Sequence, residues 1–238
     1  MPVYLLGPDP IFPPVGEAEP DGLLAVGGDL RPARLLAAYA SGIFPWYSEG
    51  SPILWWSPDP RLILRPREVR VSRSLRQRMK NAGLTLTLDR DFQGVIRSCA
   101  SAPRTGADTE GGGTWITPEM AEAYTALHRM GHAHSVEAWR GDALVGGLYG
   151  VSVGRAFFGE SMFCLERDTS KAALVKLCER LGAWGYGLID CQMTTPHLIR
   201  MGAREIPRAE FCREVAELAS HEPDSGAWAG CGPDHRHA

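Results

Sequence analysis

The chain has 238 residues, 22% of them charged, and a formal net charge of -3, the composition of an ordinary globular protein with one large domain or a small and a medium one. No apolar run reaches the ~18 residues a membrane span needs, and MPVYLLGPDPIFPP lacks the basic-then-apolar pattern of a signal peptide. The 6 cysteines are scattered without a CxxC pair, which fits a cytosolic chain with unpaired thiols better than a zinc or disulfide framework, and the acidic net charge confines any nucleic-acid contact to a local basic patch.

Met1 to Glu19 is Pro-rich and reads as extended. GLLAVGGDL is apolar with a Gly-Gly-Asp turn, and Pro32 to Ala40 is a helix that starts on proline and stops at Gly42. IFPWY and ILWWSPDPR follow. Trp55 and Trp56 read as a small aromatic core, while Trp46, between Pro45 and a polar turn, reads either as part of it or as exposed. Residues 1–62 are expected to form a small N-terminal domain and 63–220 a larger one.

Arg65 to Lys80 carries seven basic residues against Glu68. Ser72 is an N-cap and Gly83 a stop for a helix from Arg73 to Ala82, with Leu75 and Met79 inward. Arg73, Arg76 and Lys80 share another face. A charge run is most often a solvated face; in a mildly acidic protein this one reads either as that or as a surface for a phosphate backbone. LTLTL is a strand and Asp91 to Ala100 an amphipathic helix. Ser101 to Gly113 reads as a surface loop. Trp115 precedes a helix capped by Thr117 with Pro118 at its first position, carrying Met120, Tyr124 and Leu127 inward.

AHSVEAW is a strand. His132 and His134 lack a third ligand at metal spacing and read as structural, so no metal is expected. Gly141 to Gln192 then gives strand, strand, long helix and strand: Ala143 to Val153, Arg155 to Phe163, Ser170 to Trp184, Leu188 to Gln192. Strand alternation puts Asp190 and Gln192 on one face at a strand's C-terminal end, the first candidate for a site. A short helix follows Thr195, a last helix spans Arg208 to Ala219, and residues 221–238 read as a disordered tail.

GLLAVGGDL, GIFPWY, ILWWSPDPR, GTWIT, GHAHSVEAW, LVGGLYG, FFGESMF, SKAAL, LIDCQ and the GAREIPRAEF stretch, in this order from Pro20 to Phe211, carry a resemblance to the leucyl/phenylalanyl-tRNA–protein transferase family. The resemblance implies an α+β fold: a small N-terminal domain, then a domain similar to the Gcn5-related acetyltransferases, with a mixed sheet and flanking helices. It implies a cytoplasmic, monomeric enzyme without cofactor. That enzyme moves Leu or Phe, also Met, from aminoacyl-tRNA to the α-amine of an N-terminal Arg or Lys, marking the acceptor for N-degron proteolysis.

The implied chemistry is amine attack on an ester already activated, which agrees with the lack of a GxxxxGK[ST] loop. Asp190 stands at the family's acidic position and is expected to bind and deprotonate the amine, with Gln192 orienting it and donating to the oxyanion. A relay through the tRNA's terminal ribose is the other route. Glu160 is expected either to pair with a structural Arg or to supply negative charge favouring a cationic acceptor residue. The family's side-chain pocket maps to Leu148, Phe157, Met162, Leu177 and Ile189, where Leu148 and Leu177 replace Met and Phe. For the terminal adenosine, Trp46 and Trp115 are the stacking candidates and Tyr39 and Tyr124 weaker ones. Arg73, Arg76 and Lys80 would hold acceptor-stem phosphates. An acetyl-CoA-dependent acetyltransferase is disfavoured, because CLERDTSKAAL has no glycine to cradle a pyrophosphate. A non-catalytic tRNA-end-binding module would have no use for Asp190 and Gln192 together.

Overall fold

The computed structural model describes residues 3–102, 116–224 and 226–228. A small sheet is built from β1 (Tyr4–Leu6), β2 (Leu23–Gly27), β3 (Phe44–Pro45) and β4 (Leu54–Trp56), in the order β1-β2-β4-β3. Between β2 and β3 runs α1 (Pro32–Ala40), which opens on its proline. Trp55 is fully buried and donates from its indole to the Gly27 carbonyl at 2.8 Å, so it belongs to the core.

The large sheet uses β5 (Arg61–Leu64), β6 (Thr85–Leu88), β7 (Ala133–Arg140), β8 (Ala143–Val153), β9 (Ala156–Cys164), β10 (Leu188–Gln192) and β11 (Arg204–Ile206), in the order β11-β5-β10-β9-β8-β7-β6. Five pairings are antiparallel, and β9 with β10 is parallel. A parallel pair requires a crossover, supplied by α5 (Thr169–Ala183). The class is therefore α+β with a mixed sheet. Gly154 makes the β8–β9 turn at φ 54°, and a Cβ there would lie 2.4 Å from the Leu218 carbonyl, so neither the backbone nor the space admits a larger residue.

Helices cover both faces. α5 and α2 (Arg73–Asn81) contribute Leu75, Leu174, Leu177 and Leu181 to one apolar cluster with Leu62, Leu64, Leu148, Phe157 and Ile189. On the other face, α3 (Phe92–Ser101), α4 (Pro118–Arg129) and α7 (Arg208–Ala219) pack around Tyr149, Phe158 and Leu188. That second cluster also takes in Leu24, Tyr39 and Trp55 of the N-terminal lobe. The lobe thus shares a core with the large sheet, and β5 starts two residues before the expected boundary at 63. α6 (Pro196–Arg200) links β10 to β11.

Part of the stretch expected to be disordered is anchored. Trp228 stacks on His134 with centroids 3.8 Å apart and packs on Trp184 at 5.0 Å, and its indole donates to the Tyr186 hydroxyl at 2.9 Å. Aromatic area, rather than regular structure, holds the segment down, which is why a Gly- and Pro-rich sequence hides it. No helix of the described residues is long and apolar enough to cross a membrane.

Candidate active site

β9 and β10 pair over three positions, ending at Asp190 opposite Phe158, and then part. Both strands are irregular there. On β9, Tyr149 pairs with Ser161 and Gly150 with Gly159, so Glu160 is the extra residue of a bulge. On β10, the register against β5 shifts between Asp190 and Gln192, and Gln192 adopts a left-handed φ of 53°. Residues before the parting are buried, whereas Gly159, Glu160, Ser161, Met162, Cys191 and Gln192 are half-buried. An opening between the C-terminal ends of two parallel strands is where open α/β sheets place ligands.

Glu160 projects to the face of α1 and α4. Tyr39 from α1 donates to its Oε1 at 2.8 Å, and Tyr124 from α4 donates to its Oε2 at 2.7 Å. The two hydroxyls lie 2.5 Å apart. Burial pushes the Glu160 carboxyl up; the Tyr124 and Tyr39 hydrogen bonds oppose it, the Asp190 charge adds to it and the Arg61 charge subtracts, leaving it at about 7. Burial and the neighbouring carboxylate hold both tyrosines well above their ordinary range, so they remain donors. Tyr39 and Tyr124 are fully buried, and their rings are not available to stack on a nucleobase. The weaker stacking role expected for them gives way to holding Glu160.

Asp190 differs from an exposed base. Its side chain and that of Arg61 are both 0% exposed. Arg61 donates Nε to Oδ1 at 2.8 Å and Nη2 to Oδ2 at 2.7 Å, while its guanidinium lies 4.8 Å from the Phe44 ring centroid and 4.5 Å from that of Phe211. The pair is a buried, nearly neutral unit. Asp190 Oδ1 also accepts the Gln192 backbone N–H at 3.0 Å. Direct deprotonation of an amine by Asp190 does not fit this arrangement. Nor does strand alternation place Asp190 with Gln192, since the bulge interrupts it; the two are joined by the backbone bond. The Gln192 side chain is half-buried and forms no hydrogen bond with other described residues.

Arg61, the buried partner of Asp190, is not among the site residues expected from the sequence. Its signal is a lone cation opening the apolar run RLIL, which must find a buried carboxylate. The pocket candidates do come together. Leu148 pairs with Met162 and Phe157 with Ile189 across neighbouring strands, and Leu177 covers them from α5. Of the five, Met162 alone is half-buried, at the edge of the opening. Trp46 is half-buried, 5.8 Å from Trp56, and the adjoining Tyr47 hydroxyl lies 3.4 Å from Thr117 at the start of α4. Trp115 lies outside the described residues.

Arg73, Arg76 and Lys80 are exposed on α2, which Ser72 caps by accepting from the Leu75 N–H. Away from the opening, Asp89, His128 and His134 cluster within 4.8 Å. His134 faces Asp89 Oδ2 at 2.7 Å and the Gly131 carbonyl at 3.1 Å, and His128 Nδ1 faces the Ala133 carbonyl at 2.7 Å. Three of the four ring nitrogens are thereby engaged by protein groups.

A family model described as leucyl/phenylalanyl-tRNA protein transferase matches residues 63–216, and one for the N-terminal domain of that transferase matches residues 28–59. The leucyl/phenylalanyl-tRNA–protein transferase of Anaeromyxobacter sp. (strain Fw109-5) is 56% identical over 228 residues, covering 96% of this chain and 95% of its own. That of Solidesulfovibrio magneticus is 56% identical over 228 residues, covering 96% of this chain and 91% of its own. A GCN5-related N-acetyltransferase from Kribbella flavida aligns with a TM-score of 0.37 at 13% identity, over 74% of this chain and 61% of that one. This chain belongs to the leucyl/phenylalanyl-tRNA–protein transferase family, aminoacyltransferases that transfer an aminoacyl group from tRNA to protein.

Proposed function

We propose that the opening between β9 and β10 is the transfer site and that Glu160, rather than Asp190, receives the proton of the acceptor amine. The observation that carries this reading is the pairing of environments: Glu160 is half-buried with a carboxyl near 7, while Asp190 is sealed against Arg61. An α-ammonium titrates at about 7.7–8.0, so a base near 7 is matched to it. Each Glu160 oxygen accepts one tyrosine hydroxyl and keeps a further lone pair for an ammonium N–H.

In the step, the freed amine nitrogen attacks the ester carbonyl carbon. The carbon–nitrogen bond forms, the carbon–oxygen bond to the terminal ribose breaks, and the proton on Glu160 passes to the leaving ribose oxygen; the carboxylate so regenerated takes the second proton from the new amide nitrogen and releases it to solvent. The Gln192 amide donates to the transient oxyanion, a contribution of about 10²–10³ in rate for such a donor. The Arg61–Asp190 pair positions Gln192 through its backbone N–H.

The migrating side chain, Leu, Phe or Met, enters past Met162 toward Leu148, Phe157, Leu177 and Ile189. Glu160's charge favours acceptors beginning with Arg or Lys. Trp46 and Trp115 stack on the terminal adenosine, and Arg73, Arg76 and Lys80 hold acceptor-stem phosphates, in a cytoplasmic, monomeric enzyme that feeds the N-degron pathway. The test is transfer of labelled Phe, Leu and Met from their tRNAs to peptides starting with Arg, Lys, Ala or Glu. The expected result is incorporation into Arg and Lys peptides only, falling about 10²–10⁴-fold in Glu160→Gln. Equal transfer to all four peptides, or an undiminished Glu160→Gln, would sink the reading.

A further inference from the structure

Asp168 sits in the loop between β9 and α5, four residues beyond the end of β9, with a left-handed φ of 67°. Three cations converge on this one carboxylate. Lys171 Nζ lies 2.5 Å from Oδ1, Arg78 Nε of α2 lies 2.7 Å from Oδ2, and Arg167 Nε lies 3.7 Å from Oδ2. The Asp168 side chain is 7% exposed, whereas those of Arg78, Lys171 and Arg167 are 43%, 36% and 83% exposed. Oδ2 is buried and has no hydrogen-bond partner. Arg78 and Arg167 therefore meet it as charges without aligned donors, interactions that each can give up to a better acceptor.

The surroundings extend the positive surface. Burial, then the charges of Lys171 and Arg200, push the His197 imidazole below its ordinary value, and Asp168 opposes them. His197 and Arg200 belong to α6, which follows Gln192 out of the opening. Arg78 belongs to α2, the helix that presents Arg73, Arg76 and Lys80. One cluster of cations thus joins the basic helix to the rim of the transfer site, with a single acid at its centre.

We propose that this cluster binds the phosphates of the single-stranded 3′ end of the tRNA, and that Asp168 holds its cations in place of those phosphates until RNA arrives. The proposal rests on the opening being where the aminoacyl ester lies, because only then do the last phosphates reach the α5–α6 rim. On binding, Arg78, Arg167 and Lys171 turn from one carboxylate to two or three phosphate oxygens. Asp168 is then a brake on affinity, and its removal strengthens binding.

Asp168→Asn is the discriminating variant, since Asn tolerates a left-handed backbone. Binding of deacylated tRNA is titrated against salt, with intact tRNA and with tRNA trimmed of its single-stranded 3′ nucleotides, and folding is checked by thermal melting. The expected result is Asp168→Asn binding intact tRNA about two- to fivefold tighter, with a salt slope steeper by ~0.7 for each additional phosphate neutralised. Trimmed tRNA should bind both proteins equally. Lys171→Met and Arg167→Gln should weaken intact tRNA alone. Unchanged or weaker binding by a folded Asp168→Asn, or a tightening that survives trimming, would overturn the proposal. Arg76→Gln separates the two readings: it should weaken intact and trimmed tRNA alike, and its failure would count against the stem-binding role of α2 without touching the cluster.

Discussion

Glu160 and Asp190 are carboxylates with opposite fates, set by what each is buried against. Asp190 meets a bidentate guanidinium; Glu160 meets only hydroxyls, and desolvation raises it to about 7. Its folded value lies above its ordinary 4.5, so folding binds a proton more tightly there. The stability this contributes is fully present below about 4.5 and is lost as pH rises through about 7. Glu160→Gln keeps the shape and removes that loss, so its melting temperature should rise relative to the parent's between pH 5 and pH 8; a constant difference would contradict the raised carboxyl. Arg61→Met should leave Asp190 charged, buried and unpaired, costing about 3–5 kcal/mol by denaturant titration, with Arg61→Met/Asp190→Leu recovering most of it. Equal destabilisation in the double variant would show that the pair itself, rather than the orphaned charge, matters. These residues are visible in the sequence as LIDCQ, GESMF and SPDPR. Which carboxylate is neutralised is not visible there, because the partners are distant along the chain: Arg61 is 129 residues from Asp190, and Tyr39 is 121 from Glu160.

At the scale of elements, the long strands and helices are legible in the sequence and the irregularities are not. α5, β8 and α7 fall within a residue or so of where caps, glycines and periodicity put them. The bulges at Glu160 and Cys191 follow from strand pairing across the sheet and leave no mark in a single strand's alternation. They lie where β9 and β10 part, so the feature that shapes the proposed site is the hidden one. The helix α2 is readable, since its cap and its Leu75 and Met79 face match the structure. Replacing Arg73, Arg76 and Lys80 together with Gln should flatten the salt dependence of tRNA binding by about two to three in the logarithmic slope. It should leave the rate at saturating tRNA within about twofold, because these exposed side chains make no contact with Glu160, Asp190 or Gln192. A lowered saturated rate with an unchanged slope would place the helix in catalysis instead.

Among the described residues, two sheets share a common core, and Trp228 ties the segment after α7 to it. The sequence suggests a separate small N-terminal domain, and the tryptophans of the lobe do build a local aromatic cluster. Yet Tyr39 reaches Glu160, and Phe44 flanks Arg61, so the lobe packs directly against the residues of the proposed site. Unfolding of lobe and large sheet should therefore be a single transition by both tryptophan fluorescence and far-ultraviolet circular dichroism. Trp228→Ala should lower stability by about 1–3 kcal/mol, less than for a fully buried ring because Trp228 is half-buried. Hydrogen exchange at Asp224, whose N–H donates to the Trp184 carbonyl at 3.2 Å, should speed up in that variant. Unchanged exchange there would mean that Trp228 does not anchor the segment.

The measurement that bears most directly on the proposed transfer site is the pH dependence of kcat/KM for Phe transfer to an Arg-starting peptide, made with the parent protein, Glu160→Gln and Asp190→Asn. If Glu160 takes the proton, the parent's rate rises with pH through about 7, Glu160→Gln is slow with that step gone, and Asp190→Asn is slower but keeps it. A step retained in Glu160→Gln and abolished in Asp190→Asn would return the proton to Asp190 and contradict the assignment.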